Sequence, residues 1–373
     1  VDLRFAFEVG CTLCLQITVV IAVTFALQRW VTDARLGCRL WTVCFVCVIG
    51  LVAAAFLLPH RRLFDFPETL FGELSRDGML NMVVWQGRIA MALGVVWGIG
   101  VAVSLIKRAM LCVSLLRFLK HECQSVDADA LLKRLEIGQH DQTGLSILTS
   151  AQIQGPFCWQ LHRPVIVLPT FLLDEDESTL QHVLLHELEH LRTQHPMQHF
   201  LQGVCSTLFW FHPLVWSAAR GAELTREYLC DEVAAKTSGK FGAYLRTLAK
   251  VAERCGSVSC TEVSRNKVPK ATLAFGNQQS ALIRRSNRLV KLAESEQSPS
   301  RWKPMVAMAT LLLCAGLIQQ VWLPTNAMAS QRSDWSPWPT WTAGALHQID
   351  VQVRDFELFE DRVQMHELLY EDN

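Results

Sequence analysis

The stretch His182-Val-Leu-Leu-His186-Glu-Leu-Glu-His190 decides how the rest of the chain is read. On an α-helix His186 and His190 are four residues apart, so their imidazoles leave one face a turn apart and can close on a single ion. Neutral imidazole suits Zn²⁺, and a catalytic zinc takes three protein ligands and leaves its fourth position for water. Glu187, beside the first histidine, is placed to take a proton from that water. The bland alternative is an amphipathic helix whose histidines happen to fall in register. The short motif alone does not exclude it.

A third ligand has to come from farther along. Glu227 lies in Arg226-Glu-Tyr-Leu-Cys-Asp231, where Glu227 and Asp231 again share a helix face, so a ligand and a second carboxylate come together. Asp231 can then hold the free N–H of a ligating histidine. Glu223, one turn earlier, shows that a solvated acidic face is the competing reading. His182 sits one turn before His186, where it lines the site or packs in the core. His195 and His199 repeat the four-residue spacing, but Pro196 is expected to break the turn between them.

Outward from this stretch the chain is apolar. Half of its residues are hydrophobic and 19% are charged, and its mean hydropathy is +0.21, too apolar for an ordinary soluble chain and best explained by membrane insertion. The formal net charge is zero, which argues for no nucleic-acid partner. Four apolar runs have roughly the 20 residues that a bilayer core needs: three lie in residues 1–106, at about 11–28, 39–58 and 86–106, and the fourth at 304–324. The first lacks a basic n-region and a small-residue cleavage site, so it is expected to remain as a membrane helix. Arg29, Arg35 and Arg39 follow the first run, Lys107, Arg108, Arg117 and Lys120 follow the third, and Arg301 and Lys303 precede the fourth. Basic residues mark cytoplasmic flanks, which places residues 107–303 in the cytoplasm and both the N-terminus and the tail, 325–373, outside. The cysteines lie in apolar or cytoplasmic stretches and are expected to stay reduced.

Within 107–303, residues 107–136 read as a helical exit from the third run. Leu145-Ser-Ile-Leu-Thr149 and Val165-Ile-Val-Leu168 read as short strands of a small sheet. Gly155, Pro156 and Phe157 form either a substrate-binding lip beside an edge strand or an ordinary turn. Asp174-Glu-Asp-Glu177 suits the positive N-terminus of the histidine helix. Phe200–Trp216 is apolar but interrupted at His212-Pro213, which predicts two helices meeting at or against the membrane, the second running from Pro213 to about Lys236. Residues 255–303 are polar and basic and suit a lipid-facing juxtamembrane segment.

Taken in order, Pro156-Phe157, Arg163-Pro-Val-Ile-Val-Leu-Pro169, the His-Glu-Leu-Glu-His stretch, Trp210-Phe-His-Pro-Leu-Val-Trp216 and Arg226-Glu-Tyr-Leu-Cys-Asp231 resemble the membrane metallopeptidases of the BlaR/MecR type, over about residues 10 to 325. The resemblance implies a mainly α, polytopic membrane protein with four transmembrane helices and an inserted α+β zincin-like (gluzincin) domain. It implies one Zn²⁺ on His186, His190 and Glu227, with Glu187 as general base and Asp231 behind a ligand. The implied activity is cleavage of a cytoplasmic protein, such as a repressor, or of the chain itself, in transmembrane signalling; the self-cleavage of some relatives suggests a cut near Arg284-Arg285. A homodimer is compatible with this reading. Antibiotic-sensing relatives carry a large outer domain with an SxxK serine. Here Ser264-x-x-Lys267 and Ser300-x-x-Lys303 precede the fourth run, and residues 325–373 are too few for that domain, so β-lactam sensing is not expected. Asp350-Val-Gln-Val353 alternates like the start of a strand. A constitutive maturation protease and a non-enzymatic transducer are the rival readings.

Overall fold

The computed structural model describes residues 3–62, 72, 75–137, 144–160, 163–239, 241–257, 278–294, 302–323 and 338–353. Among these, four helices are long and apolar enough to cross a membrane: α1 (Leu3–Trp30), α2 (Ala34–Leu57), α3 (Arg76–His121) and α10 (Trp302–Gln319). Asp33 makes the tight turn into α2 by accepting from the backbone N–H groups of Arg35 at 2.7 Å and Leu36 at 3.2 Å, donors that a helix start otherwise leaves unpaired.

The third helix is far longer than the expected 86–106. Its 46 residues span about 70 Å, more than twice the bilayer core, so it also serves as a strut outside the membrane. Trp97 donates from its ring nitrogen to the Leu208 carbonyl at 2.8 Å. One turn on, a Cβ at Gly100 would fall inside the indole of Trp210, so only glycine permits this close approach. The helix ends at His121, and the expected helical exit to residue 136 gives way to strand β2 (Gln124–Val126) and a short helix α4 (Ala128–Arg134). Asp127 starts α4 by accepting from the Ala130 N–H at 3.1 Å.

The fourth apolar helix stops at Gln319, short of the expected 324. Gln16 of α1 donates to the Ile318 carbonyl, an acceptor that the helix end leaves open, and to the Val321 carbonyl just beyond the helix, both at 3.0 Å. The chain then extends, and β6 (Val321–Trp322) pairs in parallel with β1 (Arg61–Arg62). Beyond it a short helix α11 (Thr340–His347) is tied to the end of α2 by a hydrogen bond from Thr342 to the Leu57 carbonyl. The strand expected from Asp350 does not form over 350–353, where Asp350 takes a left-handed φ of 61°.

Between α3 and α10 lies a sheet of strand order β2-β3-β5-β4, with β3 (Ser146–Ser150), β4 (Phe157–Gln160) and β5 (Pro164–Pro169). β3 and β5 are parallel, and the two outer pairs are antiparallel. Side chains alternate strictly across the sheet. Ile147, Ile166 and Leu168 pack on Leu180, Leu184, Leu188 and Leu191 of α5 (Glu177–Arg192). Val167 faces the other way, toward Leu115 and Phe118 at the far end of α3. The sheet is therefore clamped between the histidine helix and the strut.

The apolar stretch 200–216 divides as its proline predicts, into α6 (His195–Leu208) and α7 (Pro213–Thr237). Neither helix stands apart from the membrane bundle. Cys205, Ala218 and Ala222 are buried with Ile17, Trp41, Phe45, Ala307 and Leu311 in one apolar core. Two more helices complete this part, α8 (Phe241–Ser257) and α9 (Gln278–Glu294). All the described cysteines are free.

Candidate metal centre

Helix α5 positions the site, and its start is well defined. Asp176 accepts from the Thr179 N–H at 3.0 Å, as the acidic run before the helix predicts. The Ser178 and Lys250 side chains then hold its carboxyl well below the usual carboxylate range. Such a cap is worth about 1 kcal/mol, so Asp176→Ala is expected to lower the unfolding free energy by about that much in detergent near neutral pH. A depressed carboxylate stabilises the fold above its unfolded pKa of about 4 and loses that contribution as pH falls below it, so the gap between the two proteins should close in acid. Equal unfolding midpoints at pH 7 would remove the cap from the account of this helix.

With the leucines of α5 turned to the sheet, the opposite face presents the histidines to α7. His186 and His190 bring their Nε2 atoms to 3.2 Å of each other. Glu227 of α7 reaches both, with Oε2 at 3.4 Å from His186 Nε2 and Oε1 at 3.4 Å from His190 Nε2. A tetrahedral zinc with bonds of about 2.0–2.1 Å separates its ligand atoms by about 3.3–3.4 Å. The three atoms thus have the spacing that one such ion requires, and the donor set of two imidazoles and a carboxylate suits it chemically.

Behind each histidine stands a partner for the other ring nitrogen. His186 Nδ1 lies 3.2 Å from Asp231 Oδ1 and 3.0 Å from the Tyr244 hydroxyl, which itself donates to Asp231 Oδ1 at 2.7 Å. His190 Nδ1 lies 2.9 Å from His195 Nδ1. If Nε2 of His190 faces an ion, its Nδ1 carries the proton and donates, and His195 must accept through Nδ1 and keep its proton on Nε2. Burial and the neighbouring His190 push His195 down to about 2, so it is neutral. The expectation that Pro196 breaks this region needs correction. Gln194 takes a left-handed φ of 55°, Pro196 sits in the first turn of α6, and the sharp corner drives His195 back onto His190.

Glu187 is buried, and that burial raises its carboxyl to about 7, close to the value at which a base can both take and return a proton near neutrality. Burial also works against charge on Glu227 and Asp231. The Arg285 guanidinium nevertheless holds Glu227 well below the usual carboxylate range and Asp231 at about 2. Arg285 belongs to α9, in the segment whose basic run suggested lipid contact or a cut at Arg284-Arg285. The pair lies inside a helix, and Arg285 is drawn into the site while Arg284 stays exposed. A helical backbone has its hydrogen bonds closed and cannot lie along a strand edge as an extended substrate does.

His182 turns away from the trio, its Nδ1 2.8 Å from the Thr247 hydroxyl and its ring edge-on to Tyr244. Gly155 lies in a bend, Pro156 follows it, and Phe157 opens β4, an edge strand of the sheet that packs beside α5. The Phe157 side chain packs with the α3 cluster and Cys158 with the α5 cluster, so only the main chain of this lip is available along the edge. The described residues also bring His190, His195 and Cys230 within ligand reach of one another. An ion there would compete for His190, and it would have to displace the proton of a Cys230 thiol that burial pushes well above its ordinary value.

The model of one family, described as BlaR1 peptidase M56, matches residues 5–271, well over half of the chain. The chain belongs to the BlaR1 peptidase M56 family. Membership places it among the membrane metallopeptidases, in keeping with four apolar helices and a zinc-compatible trio. Among relatives of the M56 chain, the regulatory protein BlaR1 of Bacillus licheniformis is 28% identical over 173 residues, 44% of this chain and 28% of that protein. The methicillin resistance mecR1 protein of Staphylococcus aureus is 23% identical over 188 residues, 49% of this chain and 31% of that protein. The same protein of Staphylococcus epidermidis matches equally. The matches thus span less than a third of these relatives' lengths.

The contacts of Tyr244, His195 and Arg285 with the metal centre were not foreseen from the sequence, although His195 and Arg285 were noted there for other reasons. For His195 a signal existed, a histidine five residues after a ligand with proline next to it. Nothing local marks Tyr244 or Arg285.

Proposed function

We propose that this chain is a multi-pass membrane zinc endopeptidase that cuts a cytoplasmic protein, a repressor or the chain itself, to relay a signal across the bilayer. The observation that carries the reading is the triangle of His186 Nε2, His190 Nε2 and Glu227 with sides of 3.2 to 3.4 Å, set beside a buried glutamate. In this reading those three residues hold one Zn²⁺ and Asp231 and His195 fix the two imidazoles. Zinc bound there would supply Lewis acidity to the scissile carbonyl and lower the pKa of a water molecule so that Glu187 could deprotonate it. Glu187 takes the proton from the attacking water and delivers it to the nitrogen of the departing amine, so one carboxyl serves as base and then acid. The main chain at Gly155, Pro156 and Phe157 and along β4 offers hydrogen bonds to an extended substrate, so sequence preference would come from neighbouring side chains.

The arginine and lysine flanks of the membrane helices support a cytoplasmic site, with the N-terminus and tail outside. The names of the relatives, a regulatory protein and resistance proteins, favour signalling over general maturation. The test is zinc content and fragment analysis of the purified protein in detergent, offered peptides and its own chain, before and after chelation. One zinc per chain, with fragments that vanish on chelation and return with zinc, is the expected result. A full complement of zinc without any cleavage would favour a transducer, and absence of zinc binding would overturn the ligand set.

A further inference from the structure

Helix α9 precedes the fourth membrane helix and is separated from it by residues 295–301 alone. It lies against α7, with Leu289 buried among Ala234, Ala235 and Tyr244. Arg288 donates to the Thr32 carbonyl between α1 and α2 at 2.6 Å and lies over the Tyr228 ring. One turn earlier Arg285, its side chain 18% exposed, enters the metal centre. Its Nε and Nη2 donate to Asp231 Oδ2 and Oδ1 at 2.7 and 2.6 Å, and its Nη1 lies 3.0 Å from Glu227 Oε2.

We propose that Arg285 is a positioning residue of the metal centre, delivered by the linker of the fourth membrane helix, whose single guanidinium orients two of the three ligands. It acts on Glu227 directly and on His186 through Asp231. This rests on the zinc reading given above. The fork geometry matters, because two parallel bonds fix the plane of the Asp231 carboxylate, which in turn faces His186 Nδ1. Charge matters as well. Asp231 is buried and Glu227 partly so, and Arg285 sets one positive charge against both carboxylates. Arg285 touches no reacting atom in this arrangement, so it serves the reaction through the ligands. A metal centre built in this way is complete only while α9 is docked. Any movement of α10 that draws α9 away removes the group that aligns Glu227 and Asp231.

The experiment compares the full-length protein with Arg285→Gln, Arg285→Lys and Arg284→Gln, the last at an exposed neighbour on the same helix. Zinc release to a competing chelator is measured alongside kcat and KM. Losing the outer partner of a metal ligand typically costs 10–100-fold. Arg285→Gln is expected to release zinc faster and to lower kcat by a factor in that range, with KM changed by no more than about twofold. Arg285→Lys, which restores the charge without the fork, should recover only part of both, and Arg284→Gln should match wild type. Wild-type zinc release and kcat in Arg285→Gln would overturn the proposal, as would a rise in activity. Wild-type behaviour in Arg285→Lys would overturn the fork geometry, and it also covers the case in which the glutamine variant does not fold. If wild type itself holds no zinc, the peptidase reading fails, an outcome separate from any difference between the variants.

Discussion

Glu187→Gln is expected to keep zinc at the wild-type level and to lose cleavage by about 10²–10⁴-fold, the range over which a general base contributes. The substitution preserves shape and volume but replaces a proton acceptor with an amide that cannot take the proton of the attacking water. Glu187 stands on the same helix as both histidines, yet neither of its oxygens belongs to the ligand trio. Zinc binding and proton transfer can therefore be separated in one variant. Burial raises its carboxyl to about 7, which favours return of the proton to the leaving amine as well as its removal from water. The measurement is zinc stoichiometry beside fragment yield in the same preparation. Wild-type yield from Glu187→Gln would place the base elsewhere.

Glu227→Gln should act on the metal itself. The residue comes from α7, and its two oxygens reach His186 and His190 at the same 3.4 Å. Removing its charge takes away the anionic ligand and leaves Arg285 facing a neutral amide. Zinc affinity should fall by more than the roughly 10–100-fold attached to an outer partner, with cleavage lost in parallel. Glu223→Gln is the control, because Glu223 is engaged with Gln202 and His199 one turn away and should leave zinc unchanged. Retention of one tightly held zinc in Glu227→Gln would shift attention to His190, His195 and Cys230. Cys230→Ser would then be the variant to lose it.

The parts of this protein that the sequence determined are those governed by local periodicity. A spacing of four residues from His186 to His190, and of four from Glu227 to Asp231, is enough to place each pair on one helix face whatever the rest of the chain does. Long uncharged runs announced the membrane helices because their hydropathy is summed over one segment. Asp176 could be read as a helix start because capping involves only the next turn. Boundaries were less legible. The helical exit expected over 107–136 forms only as far as His121, where Leu115 and Phe118 have packed on the sheet and the chain turns into β2. At the end of α10, Gln16, some three hundred residues away in sequence, donates to the Ile318 carbonyl, a partner that no local pattern announces.

Only the tertiary structure decided what completes the metal centre. Asp231 could be assigned to a histidine from spacing, but not to His186 rather than His190, because that choice depends on how α7 crosses α5. His195 reaches His190 only through the left-handed corner at Gln194. Tyr244 arrives from α8, and Arg285, one of several arginines in a basic run, arrives from α9. In sequence an arginine destined for lipid headgroups and one destined for the buried Asp231 and the partly buried Glu227 look alike. What separates them is burial, which makes an uncompensated carboxylate pair too costly to leave without a cation, and burial exists only once the helices have packed.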